Sequence, residues 1–179
     1  MGSSNPHKFS IDDLKEMARQ IRRDIIRMLM ISQSGHSGGP LGLAEVFASL
    51  YFKILNFDPK NPTWTSRDYF FLSAGHLAPV WYSTLARAGF YPIRELTTLR
   101  KINTRLQGHP APGYTHGLPG IEIASGSLGQ GMSIAVGAAL GLRMDMKPNH
   151  VYVLHGDGEL NEGQVWEGIM TAGHYNLDN

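Results

Sequence analysis

Cysteine is missing from this sequence of 179 residues, which excludes disulfides, thiolate metal sites and a thiol nucleophile and suits a reducing compartment. A charge bias is missing too: 16 Lys and Arg stand against 15 Asp and Glu, for a formal net charge of +1. The longest basic run is Arg22-Arg23, so no broad field is offered to nucleic acid or anionic lipid. Long apolar runs are lacking as well. No uninterrupted stretch approaches the roughly 20 residues that span a bilayer, and the N-terminus has no apolar signal-peptide core. These absences lead to the expectation of a cytoplasmic protein that binds neither nucleic acid nor membrane.

What is present suits one domain with a sizeable core: 42% of residues are hydrophobic and 17% charged. Residues 1–9 begin with a polar, small-residue stretch and are expected to form a flexible arm, leaving 10–179 as the domain. Ser10, with Asp13 three residues on, reads as a helix N-cap. Behind it Leu14, Met17, Ala18, Ile21, Ile25 and Met28 recur at helical spacing, and Gly35 is the expected stop. Leu43 to Leu55 reads as a second helix, broken by the prolines of 58–62. Pro79 suits the first turn of a helix ending near Gly89. The stretch from Gly108 to Gly120, with Pro110, Pro112 and Pro119, reads as loop.

Tyr69 to Leu72 and Val151 to Leu154 are short apolar runs of strand type. Leu128 to Arg143 is rich in Gly, Ala and Ser, as in a helix that packs closely, and Gly163 to Gly173 reads as the last helix. Helices alternating with short strands predict an α/β fold with a largely parallel sheet flanked by helices. Ligands in such sheets bind beyond the carboxyl ends of the strands, so the loops after Leu72 and Leu154 are the places to search.

The loop after Leu154 is Gly156-Asp157-Gly158. Its glycines allow close backbone approach, and Asp157 offers a hard oxygen to Mg²⁺ or Ca²⁺. Standing alone, the motif reads equally well as a strand-to-helix turn with Asp as a cap. Histidine supplies a second signal: His36, His76, His109 and His174 each follow glycine, where random placement of 8 His and 21 Gly in 179 residues gives about one such pair. His174 falls at a helix end and reads as structural. The other three sit on predicted loops, where imidazoles donate to hydroxyls or phosphates and shuttle protons near neutral pH. Zinc is the competing use, but no pair has ligand-like spacing. His7, His116 and His150 read as exposed loop positions. Ser125-Gly126-Ser127-Leu128-Gly129-Gln130-Gly131 puts three glycines at a loop-to-helix junction, and reads as either a phosphate contact or a packing device.

Taken in order, Gly35-His36-Ser37-Gly38-Gly39-Pro40-Leu41-Gly42, Leu72-Ser73-Ala74-Gly75-His76, Gln107-Gly108-His109-Pro110, Ser127-Leu128-Gly129-Gln130-Gly131 and Gly156-Asp157-Gly158 resemble the transketolase family. So does the later pattern of Glu162, Glu167 and Ala172-Gly173. The resemblance runs from about Asp12 to Asn179, and the ordered set is far more specific than any one member. It implies the thiamine-diphosphate-binding fold, in its diphosphate-binding domain. It also implies transfer of a two-carbon ketol unit from a ketose phosphate to an aldose phosphate, as in the pentose phosphate pathway, with thiamine diphosphate as the electron sink.

By that resemblance Asp157 is a Mg²⁺ (or Ca²⁺) ligand, and Gly156 and Gly158 lie against the diphosphate. Gly126, Ser127, Leu128 and His76 line the cofactor, while His36 and His109 meet the sugar. Glu162 and Glu167 resemble the family's acidic pair at the subunit interface. The resemblance is nearest to the N-terminal subunit of transketolases made as two chains, so a pyrimidine-binding C-terminal partner and a homo- or hetero-oligomer, such as a dimer, are expected. On the family pattern the domain is incomplete at its C-terminal end, where a second metal ligand would follow Asn179.

Three positions depart from the family: Leu77 stands where a small residue is usual, Ser37 where proline is common, and Ser127 where proline is frequent. They bear on substrate preference more than on reaction class. The alternatives are 1-deoxyxylulose-5-phosphate synthase, phosphoketolase, or a non-catalytic diphosphate-binding or assembly module. Gln107-Gly108-His109-Pro110 together with the 127–131 motif favours transketolase.

Overall fold

The computed structural model describes residues 5–112 and 117–179; His116 lies outside the described residues. The first helix, α1 (Ile11–Ser32), starts at the expected cap, with a complete capping box between Ser10 and Asp13. It ends earlier than Gly35, at Gln33 in the left-handed conformation. Leu14, Ala18, Ile21, Ile25 and Met28 form its buried face, the stripe that the spacing predicts.

The segment expected as one helix from Leu43 to Leu55 differs in detail. A short α2 (Gly38–Gly42) precedes it, α3 (Ala44–Ser49) covers its first half, and a π-helical turn spans Leu50–Ile54. Tyr51 and Phe52 are both buried in that turn. After β1 (Tyr69–Leu72) and a 3₁₀ turn (Gly75–Leu77) comes α4 (Ala78–Ala88), with proline in its first turn and Gly89 left-handed at its C-cap. A 3₁₀ segment, Ile93–Thr98, follows. The remaining elements are α5 (Gln130–Met144), β2 (Val151–Leu154), a 3₁₀ turn (Gly158–Asn161) and α6 (Gly163–His174).

Among the described residues β1 and β2 form a two-stranded parallel sheet, with Tyr69 opposite Val151 and Leu72 opposite Leu154. The carboxyl ends of both strands therefore open on one side. α1 packs on α3 and α4, whereas α5 packs on α6 and on the sheet. One apolar core joins α1, α3 and α4 to β1 and reaches Leu118 and Ile121. At its centre the Trp81 indole donates a 2.6 Å hydrogen bond to the Tyr51 hydroxyl. Asp24, buried on α1, is held by the Arg87 guanidinium and the Ser83 hydroxyl of α4.

Residues 5–9 are not a free arm. Asn5 is buried and its amide donates to the Tyr51 carbonyl at 2.8 Å, while Phe9 stacks on Phe52. His7, expected in an exposed loop, is half-buried among Phe9, Phe52 and Phe57. Aromatic burial against the π-helical turn outweighs the polar composition of this stretch. His150 is exposed, and His174 closes α6 edge-on to Tyr175.

Candidate functional site

The chain leaves β1 into Ser73-Ala74-Gly75-His76, and this turn is pressed onto the loop before α5. A Cβ on Gly75 would come within 2.6–2.7 Å of backbone atoms of Ser125 and Gly126, so only glycine lets the two backbones meet. One residue into α5, a Cβ on Gly131 would fall 2.4 Å from the Ser73 side chain. The small-residue content of α5 is thus explained at its first turn and at Met132, which sits against Gly168 of α6. Gly137 and Gly141 have nothing within 4 Å of a Cβ position.

Three of the histidines singled out by their glycine neighbours gather here. The rings of His36 and His76 lie 5.3 Å apart. Gly126, at a φ of +143° that side chains rarely adopt, lies against the His109 ring, which a Cβ would meet at 3.1 Å. The Ser125 amide donates to the Pro110 carbonyl at 3.1 Å, tying these loops together. Arg100 braces the cluster from the side: it donates to the Ser34 hydroxyl at 2.9 Å, and its guanidinium leaves 3.0 Å to a Cβ on Gly108. Burial lowers the His109 pKa below the ordinary imidazole value, and the charge of Arg100 and the neighbouring His36 and His76 lower it further. His109 is therefore biased toward the neutral ring, which accepts a proton.

At the end of β2 the two carboxylates point to different fates. Asp157 is exposed. Glu159, two residues on, is only 2% exposed and accepts from the Ser73 hydroxyl, the Gly129 amide (2.8 Å) and the Gly156 amide (3.0 Å). Burial alone would raise its pKa; those hydrogen bonds, together with His155 at 3.5 Å, bring it below the usual carboxylate value. Among the described residues no three His, Cys, Asp or Glu side chains cluster closely enough to hold a metal ion.

All five ordered motifs thus meet at the carboxyl ends of the two strands. Ser127, Leu128 and Gly158 are exposed on this side, as are Glu162 at the N-cap of α6 and Glu167 within it. Leu77 is buried, and the end of its side chain lies 2.4 Å from where a Cβ on Gly39 would stand, so a side chain there requires the leucine to shift. Sequence reading missed Ser73, Arg100, His155 and Glu159. The position of Glu159 directly after Gly156-Asp157-Gly158 was the available signal for it.

Known proteins resemble this chain in both sequence and fold. The family described as "Transketolase, thiamine diphosphate binding domain" matches residues 13–179. The chain is 45% identical to the 6-deoxy-6-sulfo-D-fructose transketolase subunit of a Clostridium species, over 93% of this chain and 59% of that relative. It is 42% identical to an apulose-4-phosphate transketolase subunit of Actinobacillus succinogenes, over 98% of this chain and 63% of the relative. It therefore spans about three-fifths of these curated relatives. In three dimensions it is similar to the transketolase of Campylobacter jejuni, with a TM-score of 0.86 and 36% identity over 96% of this chain and 28% of that one. The family match over residues 13–179 and the fold match over 96% of the chain agree: this chain belongs to the transketolase family, in its thiamine diphosphate binding domain.

Proposed function

We propose that this chain supplies the diphosphate-binding part of a transketolase, which moves a two-carbon ketol unit from a ketose phosphate to an aldose phosphate. The observation that carries the reading is the convergence of His36, His76, His109, the 125–131 loop and Asp157 at one sheet end. The residues present fit thiamine diphosphate with Mg²⁺ or Ca²⁺. Asp157 offers an exposed carboxylate, and nothing stands within 4 Å of a Cβ position on Gly158. Nearby, the Ser125 hydroxyl and both His155 ring nitrogens are buried without a hydrogen-bond partner, the condition that a polar ligand relieves.

In this reading Asp157 holds the divalent ion and the backbone of Gly156 and Gly158 lies along the diphosphate. His76, Gly126, Ser127 and Leu128 line the cofactor. When bound, thiamine diphosphate supplies the electron sink for ketol transfer. His109, biased toward neutrality, is suited to accept a proton from a sugar hydroxyl, and His36 to orient the same sugar.

Glu162, at the N-cap of α6, and Glu167 within it stand beside Trp166, Ile169 and Met170, all exposed, and this face is assigned to a partner chain that supplies the pyrimidine-binding domain. Two of the relatives carry the word subunit in their names, which supports a split enzyme of homo- or hetero-oligomeric type, a dimer at its smallest. The sugar-phosphate pair stays open, and a panel of ketose phosphates defines it. A role in the pentose phosphate pathway and a cytoplasmic location, for which a cysteine-free chain is suited, belong to the same proposal.

The test is calorimetric titration of the complete subunit with thiamine diphosphate in Mg²⁺, alongside Asp157→Ala. Saturable, Mg²⁺-dependent binding that the variant loses is the expected result. Binding unaffected by the substitution would remove Asp157 from the metal.

A further inference from the structure

We propose that Glu159 is a positioning residue that locks the diphosphate cradle, joining three separate stretches of chain through one buried carboxylate. The inference rests on the functional reading above. One oxygen, Oε1, accepts from both the Ser73 hydroxyl and the Gly129 amide; the other, Oε2, accepts from the Gly156 amide. The Ser73 oxygen in turn accepts from the Gly131 amide at 3.1 Å. A single side chain thus ties the end of β1, the start of α5 and the end of β2.

These are the stretches that carry His76, the 126–128 loop and Asp157. Helix α5 has no side-chain cap of its own at Gly129, and its first amides are satisfied instead by Glu159 directly and by Ser73 as a relay. The amides of Gly129 and Gly131 are therefore committed to the protein's own carboxylate and hydroxyl. Exposed groups of the cradle, Asp157 and the backbone at Gly158, are left to face a ligand. A carboxylate beside a diphosphate site would ordinarily repel it. Here three hydrogen bonds and the His155 ring at 3.5 Å face the charge on the protein side, and the carboxylate acts through geometry: it fixes where the 126–128 loop and Asp157 stand relative to each other.

Glu159→Gln tests this. The amide keeps an acceptor on one side but turns a donor toward either Gly156 or the Ser73–Gly129 pair, breaking one tie while preserving volume. In the complete subunit with its partner, the expected result is thiamine diphosphate affinity weakened about 10-fold or more, as for other groups that orient ligands from behind. Faster hydrogen exchange at the Gly129 and Gly156 amides should accompany it. Turnover recovers at saturating cofactor, with the KM for the ketose phosphate within about two-fold of the unaltered enzyme.

A general loss of folding would not separate cofactor affinity from sugar affinity in this way. Ser73→Ala, which removes only the relay, shifts cofactor affinity in the same direction by less, and it decides the matter if Glu159→Gln does not fold. Unchanged cofactor affinity in a folded Glu159→Gln, or in folded Ser73→Ala when that variant decides, overturns the inference. If the unaltered enzyme itself fails to bind thiamine diphosphate, it is the functional reading that falls.

Discussion

Around α1, α3 and α4 the aromatic side chains Trp81, Tyr82, Phe47 and Phe52 are all fully buried, although Ile26 and Met30 of α1 are exposed. In α5, β2 and α6 the enclosed side chains are small, chiefly Ala135, Val136, Ala139 and Val165. Every residue of β2 is only half-buried, and Trp166 and Met170 of α6 are 55% and 72% exposed. The first region draws its cohesion from its own core, at roughly 25 cal/mol for each Å² of apolar surface removed from water. The second holds Asp157, the glycine loops and an uncovered apolar face, and it is attached through β-pairing and the Glu159 ties. On the proposed reading, the candidate metal ligand Asp157 and the 125–131 loop belong to the region with less of its own core, while His36 and His76 reach the site from the region that has more.

The contrast breaks most sharply on tryptophan. Trp81→Ala should cost about 3–5 kcal/mol of stability through the cavity and the lost hydrogen bond, measured by denaturant unfolding. Trp166→Ala should change stability by no more than about 0.5 kcal/mol and instead weaken association with the partner chain. Equal losses of stability would erase the distinction between the two regions.

The seam between them comes next. Gly75→Ala forces a methyl into the backbone of Ser125 and Gly126, with an expected cost of about 1–3 kcal/mol and weaker cofactor binding in the same protein. A variant of normal stability and affinity would mean that the seam yields freely. Within the site, His36→Ala and His109→Ala should each lower turnover on the order of 100-fold with little change in cofactor affinity, read by steady-state kinetics beside calorimetry. The smallest effect is a titration. Because the Arg100 charge disfavours protonated His109, Arg100→Gln should move the His109 midpoint upward, as followed by NMR of the ring. A midpoint that stays or falls would show that Arg100 braces the loop without acting on the ring.

Much of this was legible in the residues. The capping box at Ser10 and Asp13, the apolar stripe of α1 and the two strand runs are local signals, and local hydrogen bonding and burial period fix them. The π-helical turn at Leu50–Ile54 was not legible, because its bonding follows from packing Tyr51 and Phe52 inward rather than from any residue preference. His36, His76 and His109 stood out because glycine precedes each of them. Glu159 did not, since its burial depends on donors from Ser73, Gly129 and Gly156, two of which are remote in the chain. Residues 5–9 did not read as packed because the aromatic surface that His7 and Phe9 meet, Phe52 of the π-helical turn and Phe57 beyond it, is remote in the chain.

The contact of Leu77 with Gly39 has a consequence for substitution. Two positions 38 residues apart in sequence share one small volume, with the end of the Leu77 side chain 2.4 Å from where a Cβ on Gly39 would stand. A methyl at position 39 therefore fits only if the leucine turns aside, and a smaller side chain at position 77 would give it that room without any movement.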